Sequence, residues 1–383
     1  MKSRAALLHG IGQEWQIQEI EVDEPKAGEV VVEWKAAGLC HSDEHMVTGD
    51  MVPPAEAMEA MGIDMWPLLG GHEGAGIVAD VGPGVTSVAV GDHVSASFVP
   101  SCGRCRYCST GRQNLCNAGA GAFIKGMITD GTSRHRVAGG GPELTLLAKL
   151  GTFAQFTCVS ENQVIKVDSD YPLEAVALVS CGVATGWGSA TNRAAVAPGD
   201  TVVVVGIGGI GINAVQGAAM AGARHVIAVD PIEFKREKAM EFGATHTFSS
   251  MEEAFPMVTD MTEGMMADKV IMTPGVMYGD LMALGTQLAG KGGTIVVTAV
   301  APMSQTESSV NLFELAMWNK EIKGTIFGSL NPRADIPRLL NLYRDGQLKL
   351  DELITTRYTL DEINDGYQAM RDGTNLRGVV VHG

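Results

Sequence analysis

TVVVVGIGGIGINAVQGAAMAGARHVIAVD, residues 201–230, decides the architecture of this chain. Val202–Val205 read as a buried strand. Gly206, Gly208 and Gly211 follow in G-x-G-x-x-G spacing, with Gly209 and Ile210 between the last two. A helical pattern comes next, then a second strand ending at Asp230. The glycine pattern alone is a weak signal, but between a strand and a helix it marks a dinucleotide-binding unit. Gly206 allows the tight turn, Gly208 lets a pyrophosphate approach the backbone, and Gly211 lets helix and strand pack closely. The helix N-terminus then offers N–H groups to phosphate. Asp230 stands 24 residues after Gly206. An acid there accepts from ribose hydroxyls and repels a 2′-phosphate, which predicts NAD rather than NADP. Glu233 adds negative charge nearby. Thr201–Ala223 carries no charged side chain and is long enough to span a bilayer. Its glycines, Asn213 and Gln216 argue instead for a buried βα unit. A glycine-rich turn with no ligand is opposed by strand, glycines, helix and acid standing in order.

Working outward, HVIAVD, KVIMT and GTIVVTAV are short apolar strands separated by helical segments. That alternation predicts an α/β fold, a doubly wound parallel sheet with helices on both faces. LEAVALVSCGVATGWGSATNRAA, 173–195, suggests helix where the texture changes. Residues 15–38 alternate and are Val-rich, with Pro25 and Gly28 between, and read as two antiparallel strands and a turn. Short strands and Gly/Pro turns continue to about residue 170, and RGVVVH closes the chain as another strand. The expected organisation is a β-rich domain from residues 1–182 and 327–383, with a Rossmann domain at 183–326 inserted in it.

At 383 residues the chain exceeds a single core of ordinary size, and 45% hydrophobic content supplies two. A net charge of −16 argues against nucleic-acid or anionic-membrane surfaces and favours solubility. The start, MKSRAALLHGIGQEW, holds too short an apolar run for a secretory signal, so a cytoplasmic protein is expected.

Six of seven cysteines fall into two metal patterns. Cys102, Cys105, Cys108 and Cys116 read C-x2-C-x2-C-x7-C, enough to close a tetrahedral structural zinc site of four thiolates. Cys40 in GLCHSDEH, His72 in GGHEGAG and Cys181 in SCGVATG give three ligands, which leaves an open position for chemistry. Such clusters suit a reducing cytosol. Cys158 fits neither set and reads as a buried apolar residue.

Together these residues resemble the zinc-dependent medium-chain alcohol dehydrogenases over essentially the whole chain. The resemblance implies a GroES-like catalytic domain and a Rossmann domain, two zinc ions per chain, and reversible hydride transfer between a hydrophobic primary or secondary alcohol and NAD. It assigns Cys40, His72 and Cys181 to the catalytic zinc, with Glu73 behind the metal and Asp43 orienting the ligand histidine. Ser42 and His45 match the proton relay. His41, Thr185, Lys235 and Arg377 match positions that touch the cofactor, and Phe98 and Phe153 match the substrate pocket. GINAVQGA, VDPIEFKREKA, IFGSLNPRADIPRLL and LDELITTRYTL resemble actinobacterial nicotinoproteins. These hold NAD(H) through turnover and pass electrons to an external acceptor. The dye N,N-dimethyl-4-nitrosoaniline serves as one, and a mycofactocin-type redox peptide is the expected natural partner. The DGTSR segment, 130–134, implies a homodimer or a tetramer in such relatives.

The chain also departs from the family. His41 stands where many relatives place Arg on the pyrophosphate. Ala120 replaces the arginine of glutathione-dependent formaldehyde dehydrogenases, which counts against that activity. An insertion between Cys40 and His72 carries Met51, Met58, Met61 and Met65. It reads either as an amphipathic surface helix or as an adaptable apolar lid. Two rival functions remain: a dehydrogenase that releases NADH each cycle, and a non-enzymatic metal- and nucleotide-binding protein.

Overall fold

The computed structural model describes residues 1–383. The chain divides into two compact units, Met1–Cys181 with Asn331–Gly383, and Gly182–Leu330. In the second unit the uncharged valine run forms the strand Thr201–Val205, buried throughout. Around it a six-stranded parallel sheet runs in the order His246–Phe248, His225–Val229, Thr201–Val205, Ala267–Met272, Ala289–Val297, Glu321–Gly324. The strand order reverses beside Thr201–Val205, and ligands bind at such a switch point in doubly wound sheets. Val203, Ile227, Val270 and Ile295 of the central strands have no exposed surface. Both faces of a parallel sheet are covered by its crossover helices, so its strands are apolar on both sides.

The first unit is built from two sheets. One runs His135–Val137, Gln16–Val22, Lys2–Leu8, Leu68–Leu69, Thr145–Leu146. The other runs Val164–Lys166, His93–Ala96, Ala75–Val81, Glu29–Gly38, Arg377–Val381, Ile354–Tyr358, with Phe156–Ser160 also paired to Glu29–Gly38. The closing strand Arg377–Val381 therefore lies antiparallel beside Glu29–Gly38, and both chain ends build one unit.

The two strands expected within 15–38 form, as Gln16–Val22 and Glu29–Gly38, but they do not pair with each other. Each joins a different sheet. Period-two alternation records which face of a strand is buried and says nothing of which neighbour bonds to it.

The methionine insertion contains the helix Ala55–Met61, with Met51 and Met58 packed on the core and Met65 fully inside. The helical run Leu173–Arg193 is long and apolar enough to cross a membrane, yet most of it is buried inside the protein, as a core helix is. It contains the π-helical turn Val179–Val183, which carries Cys181. Single π turns inside helices are frequent at functional sites.

Candidate active site and nucleotide turn

Cys40 caps the helix His41–Thr48, His72 follows the strand Leu68–Leu69, and Cys181 sits in the π turn. Donor atoms of Cys40, His72, Glu73 and Cys181 all lie within 4.8 Å of one another, and all four residues are buried. Asp43 Oδ2 stands 3.0 Å from His72 Nδ1, at ion-pair distance though outside hydrogen-bond angles, and Asp43 Oδ1 accepts from the Gly71 N–H at 2.7 Å. Thr152 Oγ1 donates to the Glu73 carbonyl at 2.7 Å, and the Gly74 N–H donates to Ser180 Oγ at 3.1 Å. The loop that presents His72 is thus clamped from three sides.

Electrostatics in this group call for a cation. The neighbouring Cys181 holds the Cys40 thiol well below the ordinary range, while Cys40 and burial hold Cys181 well above it. Burial opposes charge on the His72 ring, but Asp43 and Cys40 outweigh it and hold the ring well above its usual range. Burial pushes Glu73 up to about 7 against the pull of Arg377. Two thiols and two carboxylates face one permanent cation, Arg377, in a water-poor space. A divalent metal held by these residues would resolve this by taking the place of protons. Sulfur, imidazole and carboxylate oxygen are the donors zinc takes, so the residues fit that ion.

Arg377, expected at the cofactor, is 4% exposed, forms an ion pair with Glu73 Oε2 and donates to the Leu39 carbonyl at 3.3 Å. Glu73 Oε1 has no partner. Ser42 Oγ lies 3.8 Å from Cys40 Sγ. His45 is buried one helical turn on, and His41 is exposed with its ring 5.8 Å from His45. The Phe98 ring meets His72 edge-on at 5.8 Å. Phe153 has no exposed surface and packs edge-on against Trp15 at 5.7 Å. Cys158 is likewise fully buried, and burial pushes its thiol up.

The second sulfur cluster also fits zinc. Cys102 Sγ and Cys108 Sγ lie 3.9 Å apart, and Cys105 Sγ and Cys116 Sγ 4.0 Å apart. Four sulfurs at Zn–S of ~2.3 Å in a tetrahedron would stand ~3.8 Å apart. The Cys108 N–H, aimed at Cys105, helps lower that thiol to about 6.

In the second unit, Gly206 takes a φ of +88°, which a side chain resists. A Cβ on Gly211 would meet the Gly206 carbonyl oxygen at 1.9 Å, whereas one on Gly208 would meet nothing within 4 Å. The open flank at Gly208 is where a phosphate can reach the backbone. Gly209 and Ile210 lead into the helix Gly211–Met220. Asp230 accepts from the Ile207 N–H at 2.7 Å and the Ile232 N–H at 2.9 Å. Arg236, which sequence reading passed over, braces this turn through the Asp230 and Pro231 carbonyls, both at 2.8 Å. Lys235 is half-buried on the same helix, Glu233–Glu241. Thr185 Oγ1 is buried with no hydrogen-bond partner. These features fit a dinucleotide.

Residues 26–169 match the family model of the alcohol dehydrogenase GroES-like domain, and residues 209–345 that of zinc-binding dehydrogenases. The chain is 50% identical to an NDMA-dependent alcohol dehydrogenase of Amycolatopsis methanolica, covering 100% of this chain and 99% of that one. It is 46% identical to alcohol dehydrogenase B of Mycobacterium tuberculosis, over 99% of this chain and 98% of the other. Among solved structures, benzyl alcohol dehydrogenase of Acinetobacter calcoaceticus superposes with a TM-score of 0.89 at 28% identity, covering 100% of both chains.

Proposed function

We propose, from the premise that this chain belongs to the zinc-dependent medium-chain alcohol dehydrogenases, that it interconverts a hydrophobic alcohol with its aldehyde or ketone as a nicotinoprotein. NAD(H) would stay bound through turnover and exchange electrons with an external acceptor. The observation that carries the reading is the buried cluster of Cys40, His72, Glu73 and Cys181, in a chain whose other unit holds an intact glycine turn. The 50% identity to an NDMA-dependent enzyme supports the external acceptor.

Cys40, His72 and Cys181 would hold zinc, and Asp43 would keep the His72 ring turned toward it. Zinc there supplies Lewis-acid polarisation of the alcohol oxygen, and NAD supplies the hydride acceptor. Ser42, beside Cys40, accepts the alcohol proton, and His45 on the same helix face draws it outward. Phe98, edge-on to His72, offers an apolar wall that suits a hydrophobic substrate and excludes water. Glu73 and Arg377 neutralise each other behind the ligands. Gly208 admits the pyrophosphate, Asp230 takes the ribose hydroxyls, and Thr185 Oγ1 offers a hydrogen bond to the nucleotide. The four-cysteine site holds its loop and takes no part in chemistry.

A second copy of the chain is the proposed partner. Leu312, Phe313 and Met317, in the helix that precedes the edge strand Glu321–Gly324, are 73%, 68% and 67% exposed. Exposed apolar side chains and an open sheet edge both favour pairing with a second copy.

Purified protein, dialysed extensively and then denatured, tests the reading. Two zinc ions and near-stoichiometric NAD(H) per chain are expected. Two zinc ions without nucleotide would replace the nicotinoprotein with a dehydrogenase that exchanges NAD, and absence of zinc would end both.

A further inference from the structure

The helix His41–Thr48 ends at Gly49, whose φ of 87° lies in the left-handed region. Glycine enters that conformation without penalty, so the chain can reverse at the helix end. The reversal is fixed by the Met51 N–H donating to the His45 carbonyl at 3.1 Å and the Val52 N–H to the Gly49 carbonyl at 3.1 Å. Asp50 is thereby carried back onto the helix it follows. Its Oδ2 lies 3.2 Å from His45 Nδ1 and accepts from the Thr48 hydroxyl at 2.6 Å.

The His45 side chain is 2% exposed and that of Asp50 21%. The Thr48 hydroxyl holds the Asp50 carboxyl below its usual range, burial opposes it, and the bond to His45 adds to it. An ionised carboxylate can only accept hydrogen bonds, so Nδ1 carries a proton, and in the neutral ring the lone pair then falls on Nε2. Ser42 precedes His45 by three residues on the same helix, which sets the two on one face. The His41 ring lies 5.8 Å from the His45 ring.

We infer that Asp50 is a positioning residue for the proton relay: it fixes His45 with Nε2 free to accept, and gives the relayed proton an exit to solvent. The inference rests on the alcohol dehydrogenase reading above. During oxidation the alcohol O–H bond breaks, its proton leaves by way of Ser42, and His45 Nε2 takes up a proton at the far end of the relay. The Nδ1 proton moves to the Asp50 carboxylate, which releases it to water at its exposed edge. Reduction runs the same protons inward, and no electrons move in this limb. The arrangement repeats the logic by which a buried carboxylate sets the tautomer of a catalytic histidine.

Holoenzyme of wild type, Asp50→Asn and Asp50→Glu is compared for alcohol oxidation with an external dye acceptor and with added NAD. For Asp50→Asn, kcat should fall roughly tenfold, a fraction of a full acid–base contribution. Its KM, zinc content and Tm should stay at wild-type values, and its solvent deuterium isotope effect on kcat should rise. Asp50→Glu, which keeps the charge, should regain most of the rate. Wild-type kcat and isotope effect in Asp50→Asn would overturn the role, whether or not Tm falls. So would equal losses in both variants, which would mark Asp50 as a helix-end tie only. A wild-type protein inactive on every alcohol with either acceptor would overturn the dehydrogenase reading itself, and this role with it.

Discussion

His135 and His382 set how the first unit responds to acid. Burial lowers His135 to about 3 against the opposing pull of Asp23, and its Nε2 accepts from the Cys158 N–H at 3.0 Å. Burial lowers His382 to about 4, with its Nε2 2.9 Å from the Thr152 carbonyl. Both rings are neutral in the folded protein, while in the unfolded chain they take up protons near 6.5. The unfolded state therefore binds more protons between that value and the folded ones. Stability should be full above ~6.5 and fall as the pH drops toward 4, by up to about 1.4 kcal/mol per pH unit for each ring. Urea midpoints at pH 7 and pH 5 measure this, against His135→Gln and His382→Gln. Each variant should be less stable at pH 7 and show a shallower decline. Declines parallel to wild type would assign the acid sensitivity to other groups.

At the scale of the element, the turn between Thr201–Val205 and Gly211–Met220 separates binding from folding. The space beside Gly208 is open, so Gly208→Ala should fold normally while its methyl obstructs a phosphate. Gly211 packs on the Gly206 carbonyl, so Gly211→Ala must displace the helix. The expected result is an unchanged Tm for Gly208→Ala with nucleotide affinity down roughly tenfold, about 1.4 kcal/mol. Gly211→Ala should lose Tm as well. Full nucleotide occupancy in Gly208→Ala would remove the phosphate from that flank. This turn was legible because each of its glycines answers a local steric demand. Asp50 was not, because an acid five residues after a histidine belongs to no pattern. Only the left-handed Gly49 brings the two together.

Across the whole molecule, legibility follows the range of the interactions. The α/β texture from residue 201 onward and the cysteine spacing are local, and both are visible in the chain. Sheet partnership is not, as Gln16–Val22 and Glu29–Gly38 demonstrate by entering different sheets. The Glu73–Arg377 pair spans 304 residues, and nothing near either residue announces it. Phe153 aligns with a substrate-pocket position by resemblance, yet here it packs with Trp15 and Tyr367. Resemblance carries residue identity and leaves side-chain surroundings to the fold.

The central claim is that a zinc bound by Cys40, His72 and Cys181 carries the reaction, while the four-cysteine zinc does not. Cys40→Ser tests it most directly, with zinc per chain and alcohol oxidation measured on the same preparation. One zinc per chain, a wild-type far-UV spectrum and no measurable oxidation are expected. Full oxidation by Cys40→Ser would contradict the claim.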